Sequence, residues 1–181
     1  KQDQFAASFG GLNFFEFCPN EDVIVKKIKV TEDFKKLMNN STISFYLGST
    51  RSASRILAKQ NKETGKKHKK LVLRRMAEIA REFKTSIEES SMDNINELMN
   101  ENWALKKSMT SEISNTFIDN AYQAGIDAGA KSGKLLGAGG GGFITFFAPL
   151  ESHNAIRSSL SSLREINLKM ENSGSKIIFN G

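Results

Sequence analysis

The chain has 181 residues, of which 39% are hydrophobic and 25% are charged, a balance typical of a globular protein with a real core. No apolar run reaches the roughly 18 residues that would suggest a membrane span. Cys18 is the only cysteine, which excludes an intrachain disulfide and a cysteine metal cluster and favours a reducing compartment, most simply the cytoplasm. The two isolated histidines, His68 and His153, are too few for a zinc site.

The formal net charge of +6 is compatible with a polyanionic partner, with a site for phosphorylated small molecules, or with neither. Much of the excess lies between Lys59 and Arg75, where basic residues follow one another without the aromatic residues that stack on nucleic-acid bases. This segment is more typical of a solvated helical surface, so no nucleic-acid partner is expected.

The first predicted elements along the chain are mostly strands. An aromatic-rich run over residues 12–17 and an alternating run over residues 23–30 each predict a strand, and the turn-forming residues between them indicate a hairpin. A helix over residues 31–40, with Thr31 as its N-cap, and a third strand around residues 43–47 follow.

The middle of the chain changes to a helical period. A short helix is predicted over residues 53–60, followed by a long amphipathic helix whose apolar positions run from Leu73 to Ile87. Two more helices follow, and Trp103 lies at core spacing in the first of them, which favours a packing role. The predicted caps of these two helices are Ser90 with Asp93, and Thr116 with Asp119.

The C-terminal part returns to strands. Residues 134–147 contain two apolar runs joined by glycines, which predict two strands and a connecting loop. A helix is expected from Pro149 to Leu163, and short strands are expected over residues 166–170 and 176–179. The order of elements predicts an α+β fold.

The loop between the two C-terminal strands is glycine at every position from Gly139 to Gly142. Each glycine raises the entropy lost on folding, so the block is costly unless its geometry is needed. Glycine permits positive φ, lets another backbone or a phosphate-bearing ligand come close, and can direct successive N–H groups at an anion. A tight hairpin with a bulge would explain the block equally well.

Two familiar phosphate-binding motifs do not fit this loop. No Lys-Ser or Lys-Thr follows Gly142, as a Walker A loop requires. Gly137, Gly139 and Gly142 match the spacing G-x-G-x-x-G, but the residues that follow predict a strand, where a dinucleotide fingerprint needs a helix N-terminus.

The stretch from Lys134 to Phe147 resembles the third, C-terminal motif of the GHMP small-molecule kinases, the family of galactokinase, homoserine kinase and mevalonate kinase. Its string K-L-L-G-A-G-G-G-G-F is most similar to the bacterial D-glycero-D-manno-heptose 7-phosphate kinase branch. Residues 1–11, 50–54 and 103–108 resemble the same branch.

The resemblance implies both a fold and a division of the chain. Residues 49–181 would form the GHMP kinase C-terminal domain, an antiparallel, ferredoxin-like sheet backed by helices. Residues 1–48 would be the tail of the N-terminal kinase domain, including its last strands.

The resemblance also implies an ATP-dependent sugar kinase of the heptose-phosphate type, which transfers the γ-phosphoryl group to a sugar hydroxyl with the help of Mg²⁺. Asp3 aligns with the acidic residue that serves as the base in galactokinase-like members, so it is the expected catalytic carboxylate. The expected substrate-binding residues are Lys1, Gln4, Thr50, Arg51, Ser52 and Lys106. The expected nucleotide and active-site loop comprises Gly137, Ala138, Gly139, Gly140, Gly141 and Gly142.

Several of these residues also have a purely structural interpretation. Asp3 could be an exposed residue of a frayed terminus, and Thr50 or Ser52 could cap a helix while Arg51 stays in water. In favour of binding, a guanidinium matches the geometry of a phosphate, and a helix N-terminus adds N–H donors. Lys106 follows Trp103 by three residues, on a nearby helix face from which it could reach the acceptor.

The family's phosphate-binding loop, P-x-x-S-G-L-G-S-S-A, does not occur in this sequence, and in the family it lies upstream of the stretch that begins here. The chain has no initiating Met and opens inside a motif, so we expect a fragment of a longer gene product that has no turnover alone. The alternative is a non-catalytic ferredoxin-like domain used for binding or dimerisation. A serine-glycine phosphate loop encoded upstream would favour the kinase.

Overall fold

The computed structural model describes residues 1–48, 67–137 and 139–179. Its helices and antiparallel sheets confirm the α+β class. The helices are α1 (Gln2–Phe9), α2 (Glu32–Ser41), α3 (Lys67–Glu88), α4 (Met92–Met109), α5 (Thr116–Asp127) and α6 (His153–Ser159). The strands are β1 (Asn13–Phe17), β2 (Val23–Lys27), β3 (Thr42–Tyr46), β4 (Ser132–Leu136), β5 (Phe143–Phe147) and β6 (Arg164–Glu165). The helix expected over residues 53–60 lies outside the described residues.

The smaller sheet is the predicted hairpin of β1 and β2, which pair antiparallel from Asn13 with Lys27 to Phe17 with Val23. Helix α1, which precedes it, was not predicted, because residues 1–11 look merely polar and small. The helix places Phe5 and Phe9 on one face, and each ring centroid lies 6.0 Å from that of Phe15 on β1. Packing against the hairpin therefore explains why this short segment is helical.

The larger sheet has the strand order β4-β5-β3-β6, with every neighbouring pair antiparallel. Its register aligns Leu135, Ile144 and Phe45 in one row, and all three side chains are at most 1% exposed. The helices contribute to the same core, so the sheet is backed by helices as expected. Their buried contributions include Val72, Trp103, Ile118 and Ile156.

The next row of the sheet explains one glycine inside a strand. The register aligns Gly133 on β4 with Phe146 on β5, and a Cβ at Gly133 would lie 2.6 Å from Cδ1 of that fully buried ring. The opposite face of the sheet carries Lys134, aligned with Thr145, which in turn is aligned with Ser44. The sheet thus has an apolar face, and its opposite face is polar in the row of Lys134, Thr145 and Ser44.

The predicted helix starts are only partly confirmed. Thr31 caps α2 as expected, because its Oγ1 accepts a hydrogen bond from the N–H of Phe34 at 3.2 Å. The cap predicted at Ser90 with Asp93 is wrong, since Ser91 occupies the N-cap position of α4 without a side-chain hydrogen bond.

The cap predicted for α5 at Thr116 with Asp119 is also wrong. The Asn115 side chain accepts the N–H of Ile118 at 3.0 Å, and Thr116 is the first helical residue. Asp119 instead accepts hydrogen bonds from Ser114 at 2.9 Å and from Lys107 at 3.1 Å. An asparagine one residue earlier competes successfully for the same cap.

The chain after β5 departs most from prediction. A single 3₁₀ turn (Leu150–Ser152) precedes α6, and the helix ends before the predicted Leu163. The strands expected over residues 166–170 and 176–179 do not form, and β6 has two residues only. The N–H of Met170 instead donates a hydrogen bond to Oδ1 of Asn39 at 3.1 Å, so it does not pair with a strand of the sheet.

The C-terminal tail, residues 171–175, packs against the end of α1. The N–H of Gly11 donates to the carbonyl of Glu171 at 2.7 Å, and the N–H of Ser175 donates to the carbonyl of Ser8 at 3.0 Å. Gly10 and Gly174 approach so closely that a Cβ on either would collide with the backbone of the other segment. Two chain segments far apart in sequence are thereby joined backbone to backbone.

The predicted domain boundary at residue 48 stays a prediction. It falls just after β3, which pairs with both β5 and β6 in the larger sheet. None of the helices in the described part of the chain is long and apolar enough to cross a membrane.

Candidate functional site

The glycine loop, Gly137 and Gly139–Gly142, connects β4 to β5. Part of it is explained by another backbone. A Cβ at Gly139, whose φ is +115°, would lie 2.9 Å from Cα of Ile113. The N–H of Gly140 donates to the carbonyl of Ile113 at 2.8 Å. The N–H of Gly140 is therefore not available to a phosphate, and close approach to the segment around Ile113 accounts for the glycine at position 139.

Gly137 has a different environment. Its φ is +89°, it is exposed, and beyond its chain neighbours no heavy atom of the described residues lies within 4 Å of the position that a Cβ would take. Its carbonyl oxygen accepts a hydrogen bond from Nζ of Lys106 at 2.7 Å. The open side of the glycine loop is thus the side to which α4 brings a cation.

Lys106 lies in the last turn of α4 and is half-buried. Burial and, second, the charge of Lys134 lower the pKa of Lys106 to about 8, while the carboxylate of Asp3 acts in the opposite direction. The charges of all three residues therefore interact, although they come from α4, β4 and α1. Below pH 8 the Lys106 side chain is mainly an ammonium.

Asp3, the predicted carboxylate, stands exposed in the first turn of α1. It is not part of a frayed terminus, because the helix that carries it packs on the hairpin. The structure brings it close enough to the Lys106 ammonium to act on its pKa. Lys1 and Gln4 are exposed at the same end of α1, and within the described residues their side chains form no hydrogen bond.

Four residues of the predicted site lie outside the described residues: Thr50, Arg51, Ser52 and Ala138. Their assignment to the substrate or to the active-site loop stays a prediction.

Lys134 was not identified as a site residue from the sequence. It lies on β4 with its side chain on the face opposite that of buried Leu135, and burial lowers its pKa. The available signal was a lysine inside an otherwise apolar strand. It lines a cavity of about 440 Å³ whose other polar residues include Gln2 and Asn102. Asn102 lies one helical turn before Lys106, so both belong to the same face of α4.

The described residues do not fit a Mg²⁺ site. Among residues 1–48, 67–137 and 139–179, no group of three or more His, Cys, Asp and Glu side chains is placed to hold a metal ion. Magnesium requires oxygen ligands in near-octahedral geometry, and Asp3 alone does not supply them. We therefore assign no Mg²⁺ ligand within this part of the chain.

Comparison with known proteins gives one matching family. Residues 83–165 match the family described as "GHMP kinases C terminal". The matched region begins within α3 and ends with β6, so it includes Lys106, Lys134 and the glycine loop, but not Asp3.

Individual proteins that are similar to this chain are described as sugar or sugar-phosphate kinases. The D-glycero-alpha-D-manno-heptose 7-phosphate kinase of Campylobacter jejuni is 30% identical over 158 residues, which are 87% of this chain and 47% of that protein. A Campylobacter jejuni structure described as that of a candidate sugar kinase is 27% identical, with a TM-score of 0.70 over 96% of this chain and 49% of that one.

A Bacteroides thetaiotaomicron D-glycero-D-manno-heptose 1-phosphate kinase has a TM-score of 0.66 at 21% identity, and the match covers 99% of this chain and 49% of that one. At this identity the likeness is one of fold. The chain spans about half the length of each of these three proteins.

Proposed function

We propose that the chain is part of an ATP-dependent sugar kinase of the heptose-phosphate type. The proposal starts from residues 83–165, which match the C-terminal domain of the GHMP kinases. The reaction transfers the γ-phosphoryl group of ATP to a hydroxyl of a sugar phosphate. The substrate named for the similar Campylobacter jejuni kinase, a heptose 7-phosphate, supports this choice of acceptor.

The observation that carries the proposal is the Lys106 ammonium held at Gly137, on whose pKa the charge of Asp3 also acts. The hydrogen bond of 2.7 Å between Lys106 and the Gly137 carbonyl fixes an ammonium at the open side of the loop, where it interacts with the carboxylate of Asp3. Phosphoryl transfer depends mainly on positioning and on charge stabilisation, with a carboxylate that orients the attacking hydroxyl and accepts its proton. We assign that role to Asp3 and the holding of the acceptor to Lys106.

ATP supplies the phosphoryl group when bound, and Mg²⁺ supplies charge neutralisation. The described residues provide neither the ligands of the metal nor the phosphate-binding loop of the family. We propose that both belong to a longer gene product and that the 181-residue chain alone has no turnover. A cytoplasmic location remains part of this proposal and rests on the single cysteine.

The test is an assay of the full-length gene product with ATP, Mg²⁺ and heptose 7-phosphate or heptose 1-phosphate. We expect ADP release coupled to a new phosphate ester on the sugar, detected by phosphorus NMR. The chain alone should bind neither substrate productively, and turnover by it would contradict the fragment part of the proposal. A full-length protein that phosphorylates neither sugar would instead favour the non-catalytic binding or dimerisation domain.

A further inference from the structure

A second ammonium near the candidate site has no role in the reaction as proposed. Lys134 is half-buried, and within the described residues its Nζ has no hydrogen-bond or ion-pair partner. Lys134 also lines the cavity of about 440 Å³, so an anionic group bound in that cavity would pair with a partly desolvated ammonium.

The charges around Lys134 favour an anion as that partner. The charge of Lys134 lowers the pKa of Lys106, and within the described residues Asp3 is the one carboxylate that acts on the pKa of Lys106. The cluster therefore has an excess of positive charge in a partly desolvated place, where electrostatic attraction is stronger than in open water.

The space in front of Lys134 is suited to a small ligand. The cavity of about 440 Å³ lies between the β1–β2 hairpin and helices α3 and α4. This volume falls within the roughly 300–1,000 Å³ of ordinary small-molecule pockets, which combine apolar walls with a few polar groups. Its walls include Phe14, Phe15 and Ile79. Besides Lys134 its polar lining consists of Gln2, Asn13, Lys84 and Asn102, whose amide and ammonium groups can donate hydrogen bonds.

We propose that Lys134, together with Asn102 and Gln2 of the same cavity, binds the phosphate monoester that the acceptor already carries, so that Lys134 selects a sugar phosphate over the free sugar. The inference rests on the proposed kinase function. One acceptor molecule then has its reacting hydroxyl at Asp3 and its phosphate at Lys134. The phosphate of the acceptor, and not that of ATP, is assigned to Lys134 because Lys134 lines the cavity, whereas Gly137 marks the open side of the loop.

The test compares Lys134→Gln with a matched control, Lys131→Gln, in the full-length gene product. Lys131 is exposed and precedes the same strand. For the sugar phosphate, Lys134→Gln should lower kcat/KM by roughly 10- to 100-fold, mainly through KM, as expected for the loss of one charged hydrogen bond. At pH 6.5, where Lys106 is charged with or without Lys134, the loss on the free sugar should be much smaller than the loss on the sugar phosphate. Lys134→Arg should restore part of the loss, and Lys131→Gln should behave as wild type.

Binding of the sugar phosphate without ATP, measured by calorimetry, separates this inference from the proposed function. A full-length protein without kinase activity that binds the sugar phosphate, and does so more weakly as Lys134→Gln, would refute the kinase and retain the phosphate site. Equal losses on phosphorylated and free sugar, a raised KM for ATP, or unchanged binding would overturn the assignment of Lys134. Asn102→Asp, a change of similar size that adds negative charge, should weaken sugar-phosphate binding even if Lys134→Gln folds poorly.

Discussion

Gly137 and Gly139 stand two residues apart in one loop, and both have positive φ, yet the structure needs them for different reasons. A Cβ at Gly139 would meet the backbone of Ile113 at 2.9 Å, whereas a Cβ at Gly137 would meet no atom within 4 Å. The first glycine belongs to the packing of the fold, as does Gly133 beside Phe146. The second lies beside the Lys106 hydrogen bond, and beyond its chain neighbours no described residue comes within 4 Å of a Cβ there.

Among the residues around Gly137, the largest loss of activity is expected from replacing the carboxylate of Asp3. Asp3→Asn in the full-length gene product should lower kcat by roughly 10²- to 10⁴-fold, the contribution of a positioned general base. Asp33→Asn is the matched control, because Asp33 is an exposed first-turn aspartate of α2 whose side chain is 98% accessible. Steady-state kinetics with ATP and heptose phosphate measure both. Comparable activity of the two variants would remove Asp3 from the mechanism.

Among the residues where the glycine loop packs against Ile113, the largest loss of stability is expected from replacing Gly139. Gly139→Ala should destabilise the protein by about 3 kcal/mol, because it adds overpacking against the Ile113 backbone to the strain of a positive φ. The midpoint of urea unfolding of the full-length protein, compared with that of Gly48→Ala, measures the difference. Gly48 has φ +75°, and beyond its chain neighbours no atom of the described residues lies within 4 Å of a Cβ there, so it serves as the control for strain without close packing. Equal losses in the two variants would contradict the close approach.

The pH dependence of acceptor binding should reveal Lys106. Its pKa of about 8 means that the charged form is lost as pH rises through 8, so kcat/KM for the sugar phosphate should fall by about tenfold per pH unit above that value. Lys106→Arg keeps the charge to higher pH and should remove this alkaline limb. Lys107→Arg, the neighbouring control, should leave the limb in place.

The charge of Lys134 gives this profile a further test. Lys134 lowers the pKa of Lys106, so Lys134→Gln should move the alkaline limb to higher pH, while Asp3→Asn should move it to lower pH. A limb that stays in place in both variants would show that another group titrates.

The smallest effect is expected at Gly137. Gly137→Ala should cost only about 1 kcal/mol in stability, because the new methyl group meets strain but no neighbouring atom. It should still reduce activity more than Gly48→Ala does, since the methyl group enters the space beside the Lys106 hydrogen bond. Unfolding midpoints and kcat/KM of the two variants test this together.

Prediction from the sequence succeeded where a local pattern determines the structure. The β1–β2 hairpin, the Thr31 cap and the two strands around the glycine loop each have a signal within a few residues. It failed where a distant partner decides. Helix α1 depends on the aromatic face of β1, and the segment expected as a strand over residues 166–170 gives its last N–H to Asn39.

The roles of the candidate site residues stay predictions, and they came from two kinds of signal. Asp3 and the glycine loop came from motifs, and Lys106 from its spacing in a helix. Lys134 was missed because the strand pattern alone does not reveal which of its faces is apolar and which opens into a cavity. That information requires the register of β4 against β5.

The backbone contact between Gly10 and Gly174 has a consequence for how the protein is handled. Helix α1 carries Asp3 at one end, and the other end is held by hydrogen bonds from Gly11 to Glu171 and from Ser175 to Ser8. The position of the Asp3 carboxylate thus depends on residues 171–175, which hold the other end of its helix. Deleting these residues, or fusing a bulky purification tag close behind them, would let α1 and Asp3 move while leaving the sheet and its core intact.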